Sequence, residues 1–141
     1  REVFDQLAQQ KVLLEGMLLK PSMVISGAGA ADRAGIKEVA QQTLRCLLST
    51  VPAAVPGIAF LSGGQSDEEA TQHLNTMNEI GGSLPWAVTF SYGRALQAAA
   101  MKRWAGHSDN VESARQVAFH RAQMNGAAAL GQYSSEMEKA A

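Results

Sequence analysis

Residues 57–69, GIAFLSGGQSDEE, carry the pattern that decides the fold. Residues 57–62 are a short apolar run of the length of a buried strand, and Gly63-Gly64 ends this run with a turn signal. Ser66 and Glu69 then form an S-x-x-E capping box, with acidic residues in the first turn, where the helix dipole favours them. The stretch therefore predicts a strand, a glycine turn and a helix in direct succession.

The same layout occurs twice more along the chain. Residues 12–20, VLLEGMLLK, form an apolar run that stops at Pro21, and residues 86–91, WAVTFS, run into the turn signal of residues 92–94. A proline disfavours helix at the residue before it, which supports a strand end at Lys20. The three predicted strand ends are 42 and 29 residues apart, spacings that suit strand–helix–strand crossovers and not hairpins. We therefore predict a parallel sheet.

Amphipathic stretches follow the predicted strands, and their apolar residues recur at helical spacing. The expected inward stripes are Ala40, Leu44, Leu47 and Val51; Ala70, Leu74 and Met77; Leu96, Ala100 and Trp104; and Ala114, Ala118 and Ala122. A short helix is predicted at residues 3–10 and a long one at about 110–130. Residues 132–141 have little periodicity and are predicted to form a flexible tail. The prediction is one α/β domain over residues 1–131, with three βα units.

Composition excludes several classes of protein. Of the 141 residues, 46% are hydrophobic and 18% charged, and the formal net charge is −1. This balance is typical of a packed domain, and it gives no basic field for a nucleic acid or an anionic membrane. The longest apolar stretch, residues 51–61, contains prolines and glycine and is too short to cross a bilayer. We expect no nucleic-acid or membrane partner.

The cysteine and histidine content and the residues at the start of the chain indicate the cellular compartment and whether the sequence is part of a longer one. Cys46 is the only cysteine, so the chain has neither an internal disulfide nor a CxxC spacing for zinc, and a reducing cytosol is the expected compartment. His73, His107 and His120 are too widely spaced for a compact metal motif, and we interpret them as surface or packing residues. The chain begins at Arg1, without Met or a signal-like run, so we expect it to start within a longer polypeptide.

Polar residues close the three predicted strands, namely Lys20, Ser62 and Ser91. In α/β barrels and open parallel sheets, sites are built at the carboxyl ends of the strands. Because the ordinary pKa of a lysine side chain is about 10.4, a nucleophilic lysine must be desolvated or placed beside another cation. An apolar strand end can supply that desolvation. The alternative is a lysine whose ammonium group stays in water, and periodicity alone favours this alternative.

Two neighbouring strand-to-helix turns share one chemistry. Exposed backbone N–H groups in a glycine turn can approach an anion closely, and an arginine can give a phosphate two parallel hydrogen bonds. Each turn alone is more typical of a structural role, but two adjacent turns of the same kind are stronger evidence. Barrels often bind phosphate with the loops after their last two strands. The predicted phosphate-binding residues are Ser62, Gly63, Gly64, Ser91, Gly93 and Arg94.

Three long motifs resemble one family. Residues 14–24, LEGMLLKPSMV, residues 51–66, VPAAVPGIAFLSGGQS, and residues 85–97, PWAVTFSYGRALQ, resemble the class I fructose-bisphosphate aldolases, in the right order and at similar spacing. The resemblance implies a TIM barrel, of which this chain is the C-terminal part with strands six to eight. It also implies that Lys20 forms an imine with the ketone of the substrate. The residues of the two turns would then hold the substrate phosphate.

By the same resemblance, the protein is a cytoplasmic lyase of glycolysis and a homotetramer. It would cleave fructose 1,6-bisphosphate to dihydroxyacetone phosphate and glyceraldehyde 3-phosphate, and it would need no metal or other cofactor because a protonated imine is itself an electron sink. More than half of the family's barrel is absent, with its proton-handling residues, so the 141 residues alone are expected to be a feeble catalyst. The alternative is a non-catalytic partial barrel that binds sugar phosphate or self-assembles.

Overall fold

A computed structural model describes residues 1–140 of the chain. The helices are α1 (Glu2–Gln9), α2 (Ile36–Leu48), α3 (Asp67–Ile80), α4 (Arg94–Trp104) and α5 (Val111–Ala129). The strands are β1 (Leu18–Leu19), β2 (Gly57–Phe60) and β3 (Ala87–Phe90), and short 3₁₀ segments lie at Leu14–Gly16, Ser108–Asn110 and Ser135–Ala140. This order of elements confirms the predicted α/β class with three βα units.

The three strands form one parallel sheet in the order β1-β2-β3. Leu19 pairs with Ile58, and Phe60 pairs with Phe90. Each crossover between neighbouring strands contains a helix, as parallel pairing requires. The carboxyl ends of the strands therefore meet at one edge of the sheet, as the spacing predicted.

One face of the sheet is covered and the other is open. Ile58, Phe60 and Val88 lie in the hydrophobic core, where they pack with residues of α2, α3 and α5. Because successive side chains of a strand point to opposite faces, the alternate positions face away from these helices. Leu18 is 68% exposed there, and Ala87 is also exposed. Parallel sheets are ordinarily covered on both faces, so this open face is unusual for such a sheet.

The first strand is shorter than the sequence predicts. We expected a strand over residues 12–20, but Leu14–Gly16 forms a 3₁₀ turn and only Leu18–Leu19 pairs with β2. The N–H of Gly16 donates to the carbonyl of Leu13 at 3.1 Å, so this part of the backbone makes its hydrogen bonds within the turn and not with β2. A continuous apolar run does not by itself distinguish a strand from a helical turn.

The inward stripes of α2 and α3 are confirmed, because their predicted residues are buried: Ala40, Leu44, Leu47, Ala70, Leu74 and Met77. Val51, predicted as the last residue of the first stripe, is also buried but lies beyond the end of α2. The stripes of α4 and α5 are wrong in part, since Trp104 is 45% exposed and Ala122 is exposed. Spacing by four residues drifts by about 40° per step around a helix of 3.6 residues per turn. The buried face of α5 therefore moves to other positions, namely Ala114, Arg121, Met124, Asn125 and Ala128.

The segment predicted as a flexible tail packs against the domain instead. The backbone N–H of Tyr133 donates to Asn75 of α3 at 2.9 Å. Glu138 accepts hydrogen bonds from Arg121 of α5 at 2.6 and 2.7 Å and lies 2.8 Å from His120. Burial raises the pKa of Glu138, but the hydrogen bonds from Arg121 and His120 outweigh this effect, so the pKa is lowered. Residue 141, the end of that predicted tail, lies outside the described residues.

Candidate active site

The carboxyl ends of the three strands lie side by side. The backbone N–H of Ser91 donates to the carbonyl of Phe60 at 2.8 Å, and that of Leu61 donates to the carbonyl of Pro21 at 3.1 Å. The backbones thus stay paired up to the residues where the polar segments begin. The structure brings the three predicted strand-end regions together at one edge of the sheet.

Lys20 lies on the open face of the sheet. It follows β1 directly, and the pairing of Leu19 with Ile58 puts it level with Ala59 of β2. Its side chain is exposed, and so is that of Leu18, two residues earlier on the same side of the strand. Any desolvation of the Lys20 amine must therefore come from protein that packs onto the open face.

Residues 62–65 form a β-turn at the end of β2. The N–H of Gln65 donates to the carbonyl of Ser62 at 3.2 Å and closes the turn. Gly64, at the third position, has φ +76°, a left-handed conformation that a β-turn of this kind requires. A Cβ at Gly64 would also lie 3.2 Å from Cδ1 of Ile25. The conformation therefore favours glycine at position 64, and an added Cβ would also press on the end of the Ile25 side chain.

Two backbone donors of this turn are unused. Within residues 1–140, the N–H groups of Gly63 and Gly64 make no hydrogen bond. Ser62 is only 8% exposed, so the turn offers these backbone groups to a ligand more openly than the Ser62 side chain. Unpaired N–H groups at the start of a helix are suited to an anion such as phosphate.

The capping box predicted at the start of α3 is confirmed. The Ser66 hydroxyl accepts a hydrogen bond from the Glu69 N–H at 3.1 Å, and the Glu69 carboxylate accepts one from the Ser66 N–H at 2.9 Å. The bond from the Ser66 backbone lowers the pKa of Glu69 against the opposing effect of burial. The first turn of α3 is thereby fixed by its own side chains.

The second turn, between β3 and α4, is more open. Gly93 is the N-cap residue of α4, and no side chain caps this helix. Ser91, Gly93 and Arg94 are all exposed. An uncapped helix N-terminus leaves backbone donors for solvent or for a ligand, and Arg94 adds a guanidinium at the same place.

Tyr92, in the β3–α4 turn, connects this turn to α3, the helix that follows the β2–α3 turn. Its side chain is 5% exposed, and its hydroxyl donates to the carbonyl of Ala70, in the first turn of α3, at 2.8 Å. Burial raises the pKa of the Tyr92 hydroxyl strongly, so it remains a donor at neutral pH. The position of the β3–α4 turn is therefore set relative to the helix that follows the β2–α3 turn.

Three residues that were not predicted to belong to the site, Arg33, Gln65 and His73, hold the first glycine turn. Arg33, from the connection between β1 and α2, donates to the carbonyl of Gly64 at 3.2 Å. Nδ1 of His73 lies 2.7 Å from Oε1 of Gln65, and His73 is 3% exposed. A signal for His73 existed in the sequence, because the residue lies between Ala70 and Leu74 on the buried side of α3. Arg33 gave no such signal, since its contact spans 31 residues.

The histidines agree with their interpretation as packing or surface residues. His73 is buried beside Gln65, His120 is paired with Glu138, and His107 is exposed. Burial lowers the pKa of His73; Glu69 opposes this effect and Arg33 reinforces it, so the ring is neutral at physiological pH. In residues 1–140, no group of three or more His, Cys, Asp or Glu side chains is arranged to hold a metal ion. No helix of that part is long and apolar enough to cross a membrane.

Comparisons with known proteins identify the family. The family model described as class-I fructose-bisphosphate aldolase matches residues 1–141. A probable fructose-bisphosphate aldolase class 1 of Xanthomonas campestris pv. campestris is 53% identical over 134 residues, which are 94% of this chain and 40% of that protein. The chloroplastic fructose-bisphosphate aldolase 1 of Arabidopsis thaliana is 53% identical over 137 residues, or 97% of this chain and 34% of that protein.

The fold comparison agrees. The structure of fructose-bisphosphate aldolase from Plasmodium falciparum, solved in complex with TRAP and a small-molecule inhibitor, superposes with a TM-score of 0.91 at 49% identity. The match covers 94% of this chain and 38% of the Plasmodium chain, so the chain spans well under half the length of these relatives. The motifs, the parallel strands and the match along the whole chain agree that it belongs to the class I fructose-bisphosphate aldolases, a TIM-barrel family.

Proposed function

We propose that the protein containing this chain cleaves fructose 1,6-bisphosphate to dihydroxyacetone phosphate and glyceraldehyde 3-phosphate through a Schiff base on Lys20. The observation that carries the proposal is the alignment of Lys20 with two strand-to-helix turns at one edge of a parallel sheet. A nucleophile and two phosphate-binding turns on adjacent strands suit a ketose phosphate. The family of the chain supports the same reaction.

We propose further that the chain is the C-terminal part of the barrel, with β1, β2 and β3 as strands six to eight. The outer edges of β1 and β3 pair with no strand among residues 1–140, and one face of the sheet is open. Closing a barrel pairs such edges and fills such a face with inward side chains. The remaining strands would also exclude water from Lys20, which lies on that face.

The chemistry of Lys20 follows from its amine. The nitrogen attacks the ketone carbon of the substrate, and loss of water leaves a protonated imine. When the C4 hydroxyl loses its proton and becomes the aldehyde carbonyl, the C3–C4 bond breaks; its electron pair forms the C2=C3 double bond of an enamine while the imine π pair moves to nitrogen, and glyceraldehyde 3-phosphate leaves. Protonation of the enamine and addition of water release dihydroxyacetone phosphate and restore the amine. The groups that move these protons are expected in the rest of the protein.

The two turns would hold the substrate phosphate. Gly63 and Gly64 present unpaired N–H groups within the described chain, and Arg94 presents an exposed guanidinium at the start of α4. Ser91 and Gly93 line the same turn as Arg94 and are exposed with it. Backbone donors fix the position of a phosphate, and the guanidinium neutralises its charge.

Trapping of the imine tests the proposal. The full-length protein, incubated with dihydroxyacetone phosphate and borohydride, should carry one stable adduct on Lys20, and Lys20→Met should abolish both the adduct and the cleavage of fructose 1,6-bisphosphate. Lys102→Met is the matched control, because Lys102 is an exposed lysine in the last turn of α4, at the opposite end of that helix from Arg94. An adduct on Lys11, Lys37 or Lys102, or unchanged labelling of Lys20→Met, would contradict the proposal.

A second candidate is a non-catalytic partial barrel that associates with copies of itself. The unpaired strand edges and the exposure of Leu18 favour association of the 141 residues on their own. Light scattering of the isolated chain should show assemblies larger than its 14.9 kDa mass. A stable monomer that cleaves fructose 1,6-bisphosphate at ordinary enzyme rates would contradict the account of an incomplete barrel.

Glycolysis, a cytoplasmic location and a homotetrameric state stay predictions of the family resemblance. Relatives of this chain include chloroplastic fructose-bisphosphate aldolases of Arabidopsis thaliana and Oryza sativa as well as bacterial ones. Membership of the family is therefore compatible with more than one compartment.

A further inference from the structure

We propose that His73 is a positioning residue for phosphate binding, which holds Gln65 and through it the Gly63-Gly64 turn in the conformation that receives the substrate phosphate. The proposal rests on the function proposed above. His73 does not touch the predicted phosphate position itself. It acts through the one residue that closes the turn.

The contact between His73 and Gln65 joins the turn to a rigid element. Nδ1 of His73 and Oε1 of Gln65 are 2.7 Å apart, and His73 lies on the buried face of α3. Because an amide oxygen accepts hydrogen bonds, Nδ1 of His73 carries its hydrogen and donates a hydrogen bond to Oε1 of Gln65. The backbone N–H of the same glutamine donates to the carbonyl of Ser62. Holding the Gln65 side chain therefore restrains the residue whose backbone closes the turn.

The contacts that hold the turn leave its ligand-binding side free. His73 uses a side-chain oxygen of Gln65, and Arg33 uses the carbonyl of Gly64. Neither contact engages the N–H of Gly63 or of Gly64. A turn that is pre-formed for an anion must leave such donors unpaired, and both contacts meet this requirement.

The other side-chain nitrogens of these two residues have no alternative partner in the described part of the chain. Nε2 of His73 and Nε2 of Gln65 are both buried, and neither has a partner within the described residues. The Nδ1–Oε1 bond is thus the single protein hydrogen bond of either side-chain head in residues 1–140. Its loss would leave the Gln65 side chain without a hydrogen bond to the described protein, and so would remove this restraint on the turn.

The test uses the full-length protein and compares phosphorylated with unphosphorylated ligands. His73→Leu should raise KM for fructose 1,6-bisphosphate about 3- to 10-fold, the range expected for one lost hydrogen bond, and change kcat less than about twofold. Borohydride trapping should slow for dihydroxyacetone phosphate and stay unchanged for dihydroxyacetone, which has no phosphate. His107→Leu, at an exposed histidine, is the matched control and should change neither.

Two further variants separate positioning from packing. His73→Gln keeps a donor of similar reach and should recover most of the KM. Gln65→Leu removes the other partner and should raise KM by the same factor as His73→Leu, and the double variant should be no worse than either single variant. Gln65→Leu also keeps the test open where His73→Leu does not fold, because Gln65 lies in the turn and not in a core helix.

The possible outcomes separate this proposal from the proposed function. An unchanged KM in Gln65→Leu and in every folded variant of His73 would overturn the positioning role. Equal losses for dihydroxyacetone and dihydroxyacetone phosphate, or additive losses in the double variant, would overturn it as well. A wild-type protein that neither cleaves fructose 1,6-bisphosphate nor traps dihydroxyacetone phosphate would instead contradict the proposed function.

Discussion

The β2–α3 and β3–α4 turns share one sequence chemistry and differ in structure. The first has a glycine at φ +76°, a reciprocal capping box, and contacts from Arg33 and His73. The second has Gly93 as an N-cap with no side-chain cap, and Arg94 is exposed. Side chains of the protein itself thus hold the first turn, whereas the helix start at the second turn has no side-chain cap within residues 1–140.

This difference assigns different tasks to two motifs that look equivalent in the sequence. A turn that is already held loses little conformational freedom when it binds, so it is suited to fixing the position of a phosphate. An uncapped helix start with a free guanidinium gains hydrogen bonds when an anion arrives, so it is suited to supplying charge. We therefore expect variants of the first turn to act through conformation and those of the second through electrostatics.

The largest expected effect is at the second turn. Arg94→Ala removes a charge-assisted pair worth about 1.5–3 kcal/mol, which corresponds to about 10- to 150-fold weaker binding of dihydroxyacetone phosphate. Arg103→Ala, at the other end of α4, is the control and should leave the affinity unchanged. Calorimetry of the full-length variants measures both. A loss of equal size for unphosphorylated dihydroxyacetone would show that Arg94 is structural.

The next largest effect is expected from Gly64→Ala, compared with Gly93→Ala in the other turn. Gly64→Ala forces a side chain into a left-handed conformation at about 1–2 kcal/mol and places its Cβ against Ile25, so KM for fructose 1,6-bisphosphate should rise about 5- to 30-fold. Gly93→Ala should change KM less than about twofold, because φ is −90° there and no heavy atom lies within 4 Å of the added Cβ. Similar effects at the two positions would remove the distinction between the turns.

Loss of the serine hydroxyl should destabilise the protein at the start of α3 but not before α4. Ser66→Ala removes the hydroxyl that accepts from Glu69 and should lower the free energy of unfolding by about 1 kcal/mol. Ser91→Ala removes no cap and should leave that free energy unchanged. Urea unfolding of the full-length variants provides the measurement, and a stability loss in Ser91→Ala equal to that in Ser66→Ala would contradict the assignment.

The smallest effect is the part of the pH dependence of stability that comes from the start of α3. The folded-state pKa of Glu69 is lowered, so its contribution to stability is present above the ordinary glutamate pKa of about 4.3 and is lost as the pH falls through the lowered value. Glu69→Gln should flatten this part of the stability profile between about pH 5 and pH 3. No acidic residue lies in the first turn of α4, so this helix should contribute no such dependence. An unchanged profile in Glu69→Gln would show that the box is not formed.

The features predicted correctly from the sequence are those that depend on residues close together in the chain. The β2 run, the Gly63-Gly64 turn and the Ser66–Glu69 box each lie within a few residues, and all three occur as expected. The strand over residues 12–20 was predicted too long, because a 3₁₀ turn at Gly16 satisfies the backbone as well as a strand would. Regular spacing by four also failed on α5, where the buried side follows the true helical period.

Long-range contacts explain the rest of the differences. Arg33 meets Gly64 across 31 residues, and Arg121 meets Glu138 across 17 residues, so no window of sequence contains either pair. The Glu138 contacts hold the end of the chain that low periodicity predicted to be flexible. The sequence likewise placed Lys20 at a strand end but gave no sign that the face around it would be open, since what covers a sheet face is decided by residues distant along the chain.

A crystal structure of the full-length protein with dihydroxyacetone phosphate tests the central claim most directly. The account predicts a covalent bond between Nζ of Lys20 and the ketone carbon. It also predicts phosphate oxygens within hydrogen-bond distance of the Gly63 and Gly64 N–H groups and of the Arg94 guanidinium, with the first turn unmoved and the second rearranged. A phosphate bound away from both turns, or a ketone carbon joined to another lysine, would contradict it.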